Sequence, residues 1–329
     1  MLPDQLTIGF PTYMRRDAIV ARLKTLLADP LAKDLPILVI DNGSTDGTFD
    51  AIQAQCQSPR LTLLKNDRNI GIVRNLTRLV RECQTEYLLL MSDEDELLTT
   101  HLGELLNLLS TERPLFVSPQ AIIDGKMYRG VETTGPIAAQ DFHLASFYVS
   151  GLVYHTASTC QFIDALEAME AVNTAGRLYP LGVLAVELML QGSTYWLGRP
   201  LAEKRERLPS LISDKGGDDY RYLPSRWRQH VDFLKHFAAR SAQTNQAEVI
   251  AKLSLMSAAM DESLYDRIAG AIHREFPESE AAFRAGALRR EAGSSAKVME
   301  LEAKLENFRG MIQRCDEKIV KLEAKLASR

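Results

Sequence analysis

A surplus of basic charge is missing from this chain of 329 residues, where 39 Lys and Arg stand against 43 Asp and Glu for a net charge of −4. Bulk binding of nucleic acid needs the opposite balance and is disfavoured, leaving only local basic patches to consider. Cysteine is scarce: Cys56, Cys83, Cys160 and Cys315 lie far apart, with no CxxC spacing and no histidine cluster beside them. Neither a zinc site nor a disulfide framework follows, and a reducing compartment fits best. No apolar run approaches the ~20 residues of a membrane span. The N-terminus enters an apolar segment almost at once, without the basic start and cleavage site of a signal peptide. The expected address is therefore the cytoplasm, including the inner face of the membrane. An apolar share of 46% and a charged share of 25% are those of a soluble globular protein. The length admits one large α/β domain with additions, or two modest domains.

What the chain does contain is a repeated alternation. Apolar segments LTIGF (6–10), PILVI (36–40), LTLLK (61–65), YLLLM (87–91) and LFVS (115–118) have strand character. Between them apolar residues recur at helical spacing, as in Ile72, Leu76, Leu79 and Val80, or Leu102, Leu105, Leu106 and Leu109. Short apolar strands alternating with amphipathic helices predict a mostly parallel sheet covered on both faces. Beyond about residue 120 the alternation weakens. SGLVYHT (150–156) and STYWLG (193–198) read as strands, with helices near 158–172 and 181–191. Residues 208–226 are rich in Gly, Pro, Ser and Asp and read as a loop. From Trp227 to about Arg290 the chain is helix-compatible, and its basic residues Arg226, Arg228, Lys235 and Arg240 are candidates for peripheral contact with anionic lipid. Val298, Leu301, Leu305, Phe308, Ile312, Cys315, Ile319, Leu322 and Leu326 are spaced alternately three and four apart. That is the seam of a coiled coil, which predicts a homo-oligomer through residues 298–326. The expected divisions are 1–110, 111–215, a helical region over 216–292 and the coiled coil over 293–329.

In a parallel sheet, ligands bind outside the carboxyl ends of the strands. Four polar segments fall there: PTYMRRD (11–17), DNGSTDGT (41–48), RNIGIVRN (68–75) and SDEDE (92–96). In an extended segment Asp93 and Asp95 point to one side, so both can face one cation, while Glu94 and Glu96 point away, tuning the loop or meeting solvent. An acidic helix start serving the dipole of a helix near Thr99 is the plainer alternative for this cluster.

Taken in order, these four motifs resemble the family 2 glycosyltransferases of the GT-A fold, over about residues 5–110 and loosely to 205. The resemblance implies a Rossmann-like α/β domain split into a nucleotide-sugar-binding half (1–110) and an acceptor-binding half (111–215). It also implies a nucleotide-sugar donor, a glycan or lipid-linked glycan acceptor, Mn²⁺ or Mg²⁺ at Asp93 and Asp95, and transfer with inversion. Donor contacts are expected from Pro11, Thr12, Tyr13, Asp41, Asn42, Arg74, Asp93 and Glu94, with Asp41 taking an N–H of the base and Arg74 approaching the diphosphate. Asn42 departs from the family's usual Asp. The general base is the weak point: the place where relatives carry an acidic pair falls on Pro180–Val183, which has no carboxylate. Glu187, His155 and Asp141 are the candidates. Bacterial O-antigen or capsule synthesis is the setting that family habit implies. The competing readings are a nucleotidyltransferase, for which the Gly-rich phosphate loop is missing, and a noncatalytic scaffold assembled by its coiled coil.

Overall fold

The computed structural model describes residues 5–128, 131–204 and 223–260, all within one compact unit spanning Met1–Leu264. The predicted coiled coil, its oligomer seam at 298–326, residues 261–292 and most of the predicted loop at 208–226 lie outside the described residues. The last residues of that loop, 223–226, instead begin a helix.

The chain opens with strand β1 (Leu6–Thr12), helix α1 (Arg16–Ala28), β2 (Ile37–Asp41), α2 (Thr48–Gln55), β3 (Leu61–Lys65), α3 (Ile72–Glu82) and β4 (Tyr87–Leu90). β1, β2, β3 and β4 pair in parallel, so Thr12, Asp41, Lys65 and Leu90 end at one rim. After β4 come a three-residue strand β5 (Asp95–Leu97), a 3₁₀ turn at Thr99–His101 and α4 (Leu102–Glu112). Then follow β6 (Phe116–Ile123), β7 (Lys126–Tyr128), β8 (Gly135–Pro136), α5 (Phe142–Ser146), β9 (Val153–His155), α6 (Thr156–Cys160) and α7 (Ile163–Val172). α8 (Thr174–Leu178), α9 (Pro180–Gln191), β10 (Thr194–Lys204) and α10 (Leu223–Ala242) complete the series, with a further helix over 247–260.

These strands form one sheet in the order β3-β2-β1-β4-β9-β6-β10-β5, with β7 on β6 and β8 on β10. β9 alone reverses direction in the middle, since it is antiparallel to both β4 and β6. The central strands are buried on both faces, which explains their unbroken apolar sequences: Ile37, Leu38, Val39 and Ile40 alternate between two core clusters, one on each side. Contact between layers is close at Gly9, where a Cβ would stand 2.6 Å from Leu88 Cδ1 and 2.7 Å from Leu79 Cδ2. Glycine lets α3 pack directly on β1.

The helical region is continuous with this core. Phe233 and Phe237 of α10, with Leu253, Met256 and Met260, join the cluster built on α3, α9 and β4. Phe233 is fully buried, 5.8 Å from Phe142 and 5.9 Å from Phe237 between ring centroids. Truncating such a ring costs the transfer energy plus a cavity, typically ~3–5 kcal/mol. Phe233→Ala is therefore expected to lower the unfolding free energy measured by chemical denaturation by that amount, whereas truncation of the exposed Leu255 should change it little.

Candidate active site at the strand ends

The four polar segments meet at the rim where β1, β2, β3 and β4 end. The acidic segment follows β4 and is folded back by β5, whose Asp95, Glu96 and Leu97 pair antiparallel with Lys204, Glu203 and Ala202 of β10. Its four carboxylates divide by partner. Glu94 takes Arg15 at 2.9 Å, and Glu96 approaches Arg22 at 3.7 Å. Both glutamates are thus matched by arginines of the β1–α1 link and α1, which is the loop-tuning alternative rather than the solvent-facing one. Asp93 and Asp95 instead take neutral donors. Thr12 Oγ1 donates to Asp93 Oδ2 at 2.7 Å, while Tyr148 Oη and Ser150 Oγ donate to Asp95 Oδ2 at 2.7 and 2.6 Å.

Both aspartates are buried. Burial pushes the Asp93 carboxyl up to about 6, helped by the neighbouring Glu94 charge and opposed by the Thr12 hydrogen bond. Burial likewise raises Asp95, against the hydrogen bonds from Ser150 and Tyr148. The charges of Arg15 near Asp93, and of Lys204 and Arg22 near Asp95, offset part of this burial cost, and a further positive charge would offset more of it. Among the described residues no group of three or more His, Cys, Asp or Glu could hold a metal. The chain itself offers two carboxylates, which suits Mg²⁺ or Mn²⁺ shared with substrate phosphates rather than an all-protein cage.

The second segment carries an unmatched acceptor. Asp41 is fully buried, and its Oδ1 accepts hydrogen bonds from the Ser44 amide at 3.1 Å and from the Ser44 hydroxyl. Its Oδ2 has no hydrogen-bond partner, although Lys65 Nζ lies 4.0 Å away, within ion-pair range but beyond hydrogen bonding. A buried oxygen left unsatisfied is costly, and a ligand N–H would relieve it.

Asn42 has a different task. Its Oδ1 accepts from the Ile70 amide at 3.0 Å and from Asn66 Nδ2 at 2.9 Å; its Nδ2 donates to Asn69 Oδ1 at 2.9 Å and Gly71 O at 3.3 Å. The two backbone partners fix which end is oxygen. Asn42 therefore ties the β2–α2 turn to the β3–α3 loop, and a carboxylate there could not donate to two oxygens. Close contact enforces the same joint at Gly43, whose φ is +74° and whose Cβ would lie 2.4 Å from the Arg68 carbonyl carbon. Without ligand, the polar atoms of the Asn42 side chain are all engaged within the protein.

The remaining candidates scatter. Pro11 ends β1 beside Thr12, and Tyr13 follows it, half-buried at the rim. Arg74, on the first turn of α3, is about half exposed and 3.4 Å from Glu170 of α7, so it already has a carboxylate partner. His155 ends β9, and because β9 runs against β4 it pairs with Tyr87 at the opposite rim from Asp93. There its ring meets Tyr87 edge-on at 5.4 Å, and its Nδ1 caps α6 by accepting from the Ser158 amide. Glu187 is buried under α10, with Oε1 2.8 Å from His236 Nε2 and 3.2 Å from Arg240 Nε. These are ion-pair distances, although neither N–H is aimed squarely at the oxygen. Arg240 thus lies beside this carboxylate, and Lys235 pairs with Asp232 at 3.5 Å. Asp141 immediately precedes α5, four residues after Ile137, whose amide donates to Thr194 O at the start of β10. Reversed strand direction removes His155 from the rim, and helix packing commits Glu187. Sequence reading missed Arg15, Tyr148 and Ser150; only the Arg beside PTYM carried any local signal.

The class that this sheet and rim define is the GT-A fold, a mixed α/β sheet with its site at the strand ends. Residues 7–162 match Glycosyl transferase family 2, and the resemblance read from the four motifs is a family 2 glycosyltransferase fold. The S. aureus TarS 1–349 structure in complex with UDP-GlcNAc is similar, with a TM-score of 0.55 and 13% identity over 83% of this chain and 73% of that one. The mannosyltransferase PcManGT from Pyrobaculum calidifontis, in complex with GDP-Man and Mn²⁺, is similar with a TM-score of 0.52 and 16% identity over 87% and 80% of the two chains. At such identities the likeness establishes the fold. No curated protein matches the chain. Among the described residues no helix is long and apolar enough to cross a membrane.

Two outcomes follow for the protein without ligand. Asn42→Asp is expected to lose about 1–3 kcal/mol in denaturant unfolding at neutral pH, because it places a carboxylate against two oxygen acceptors. Asp93 is raised above its unfolded value near 3.8, so its cost is absent below that pH, grows between about 4 and 6, and is complete above 6. Asp93→Asn is accordingly expected to raise the metal-free melting temperature by several degrees at pH 8 and hardly at all at pH 4, as read by calorimetry.

Proposed function

We propose that this protein is a metal-dependent, inverting glycosyltransferase that moves one sugar from a nucleotide donor to a hydroxyl acceptor, a glycan or lipid-linked glycan of a bacterial surface polysaccharide. The observation that carries the reading is the pairing, on one rim, of the unsatisfied Asp41 Oδ2 with the hydroxyl-held Asp93 and Asp95. Asp41 would accept the base N–H, and Tyr13 and Pro11 would shape the pocket around it. Asp93 and Asp95 would hold Mn²⁺ or Mg²⁺, which when bound neutralises the charge of the departing diphosphate. Arg15 and Arg74 would be candidate partners for this charge, each paired with a glutamate in the free protein. The similar folds bound to UDP-GlcNAc and to GDP-Man with Mn²⁺ support the donor class. Inversion requires a proton acceptor on the face opposite the leaving group. Of the sequence candidates, His155 and Glu187 have the structural commitments described above, and Asp141 lies toward the other rim.

A noncatalytic scaffold is the alternative, and donor turnover separates the two. With Mn²⁺ and a panel of UDP-, GDP- and dTDP-sugars, the protein is expected to hydrolyse one donor slowly without acceptor. Asp93→Asn and Asp95→Asn should each lower that rate by at least ~10²-fold, on the scale of a lost charge-stabilising group, while Glu96→Ala keeps most of it. Failure of every donor to hydrolyse, or to stabilise the protein thermally with metal, would sink the enzymatic reading.

A further inference from the structure

The hydroxyls that hold Asp95 come from a segment no motif marks. Tyr148 and Ser150 lie 53 and 55 residues along the chain from it, and both donate to the same oxygen, Oδ2. Ser150 is fully buried, and its Oγ accepts the Ser92 amide N–H at 2.9 Å. With that lone pair taken, its single proton goes to Asp95. Tyr148 is braced by the Tyr128 ring, 6.0 Å away between centroids. The backbone holds this segment in register with the acidic one: the Gly151 amide donates to Leu90 O at 2.9 Å, and the Leu90 amide to Leu152 O at 2.8 Å. Gly151, at φ +90°, passes so near Pro119 that a Cβ would come within 2.8 Å of its ring. Little of this geometry can relax.

A carboxylate with two O–H donors on one oxygen presents the other to a cation. Small dications take carboxylates through one oxygen in a tight octahedron at about 2.0–2.1 Å, whereas Ca²⁺ takes six to eight ligands and readily uses both oxygens. Thr12 engages one oxygen of Asp93 in the same way.

We propose that Tyr148 and Ser150 are positioning residues that confine Asp95 to single-oxygen ligation and thereby select a small dication over Ca²⁺. This rests on the metal-dependent reading above. The test measures binding rather than turnover: dissociation constants for Mn²⁺ by electron paramagnetic resonance of the free ion, and for Ca²⁺ by competition, with saturating UDP and, separately, GDP. Tyr148→Phe is expected to weaken Mn²⁺ roughly 10-fold and Tyr148→Phe with Ser150→Ala roughly 100-fold, the range for lost partners of a metal ligand. Ca²⁺ should weaken less, so that the Mn²⁺ to Ca²⁺ preference falls. Mn²⁺ affinity within twofold of wild type in Tyr148→Phe, at unchanged melting temperature, overturns the inference, as does an equal loss of both ions. Should the double variant unfold, Tyr148→Phe alone decides. Absence of Mn²⁺ binding by the wild type with either nucleotide removes the metal reading itself, a result distinguishable from equal binding by wild type and variants.

Discussion

Desolvated negative charge at the end of a strand governs the arrangement of this protein's candidate site. Placing Asp93 and Asp95 at the mouth of a sheet buried on both faces takes them out of water, and a carboxylate there must be compensated or protonated. The nearby arginines pair with Glu94 and Glu96, while the side-chain hydrogen bonds to the aspartates come from hydroxyls, with Arg15, Arg22 and Lys204 attracting them through space. A hydroxyl orients a carboxylate without neutralising it. The acid in this segment is therefore of two kinds, one paired with the arginines of the β1–α1 link and α1 and one held by hydroxyls.

The neighbouring loops of the rim are joined by amides. Asn42, Asn66, Asn69 and Asn75 bind one another and the backbone between the β2–α2 turn and the start of α3. The amides fix the two loops to each other, with Arg78 donating to Asn66 at the edge of the network. The substitution of Asn for the family's usual Asp is coherent on these terms, since the position both donates and accepts.

The far side of the sheet is closed by helices rather than opened for chemistry. Glu187 on α9 draws His236 and Arg240 of α10 toward it, and the phenylalanines of α10 fill the groove beside Phe142. At that residue the two helices are moored together, with the buried Glu187 beside both partners.

The periodicity of the first hundred residues determined the strands and helices, because a strand buried on both faces can be written only in unbroken apolar residues and its covering helices only at 3.6 spacing. LTLLK at 61–65 matches β3 to the residue, and four polar segments were legible as a rim because parallel strands must end together. What stayed hidden depended on direction and on distant partners. The reversal of β9, which carries His155 away from Asp93 and brings Tyr148 and Ser150 to Asp95, leaves no local trace, since an antiparallel strand in the middle of a sheet is as apolar as a parallel one. Likewise Glu187 and Asn42 look like ordinary polar residues until packing supplies their partners. Local spacing determined which segments are strands; the order and sense in which the sheet joined them decided which carboxylates are free to act.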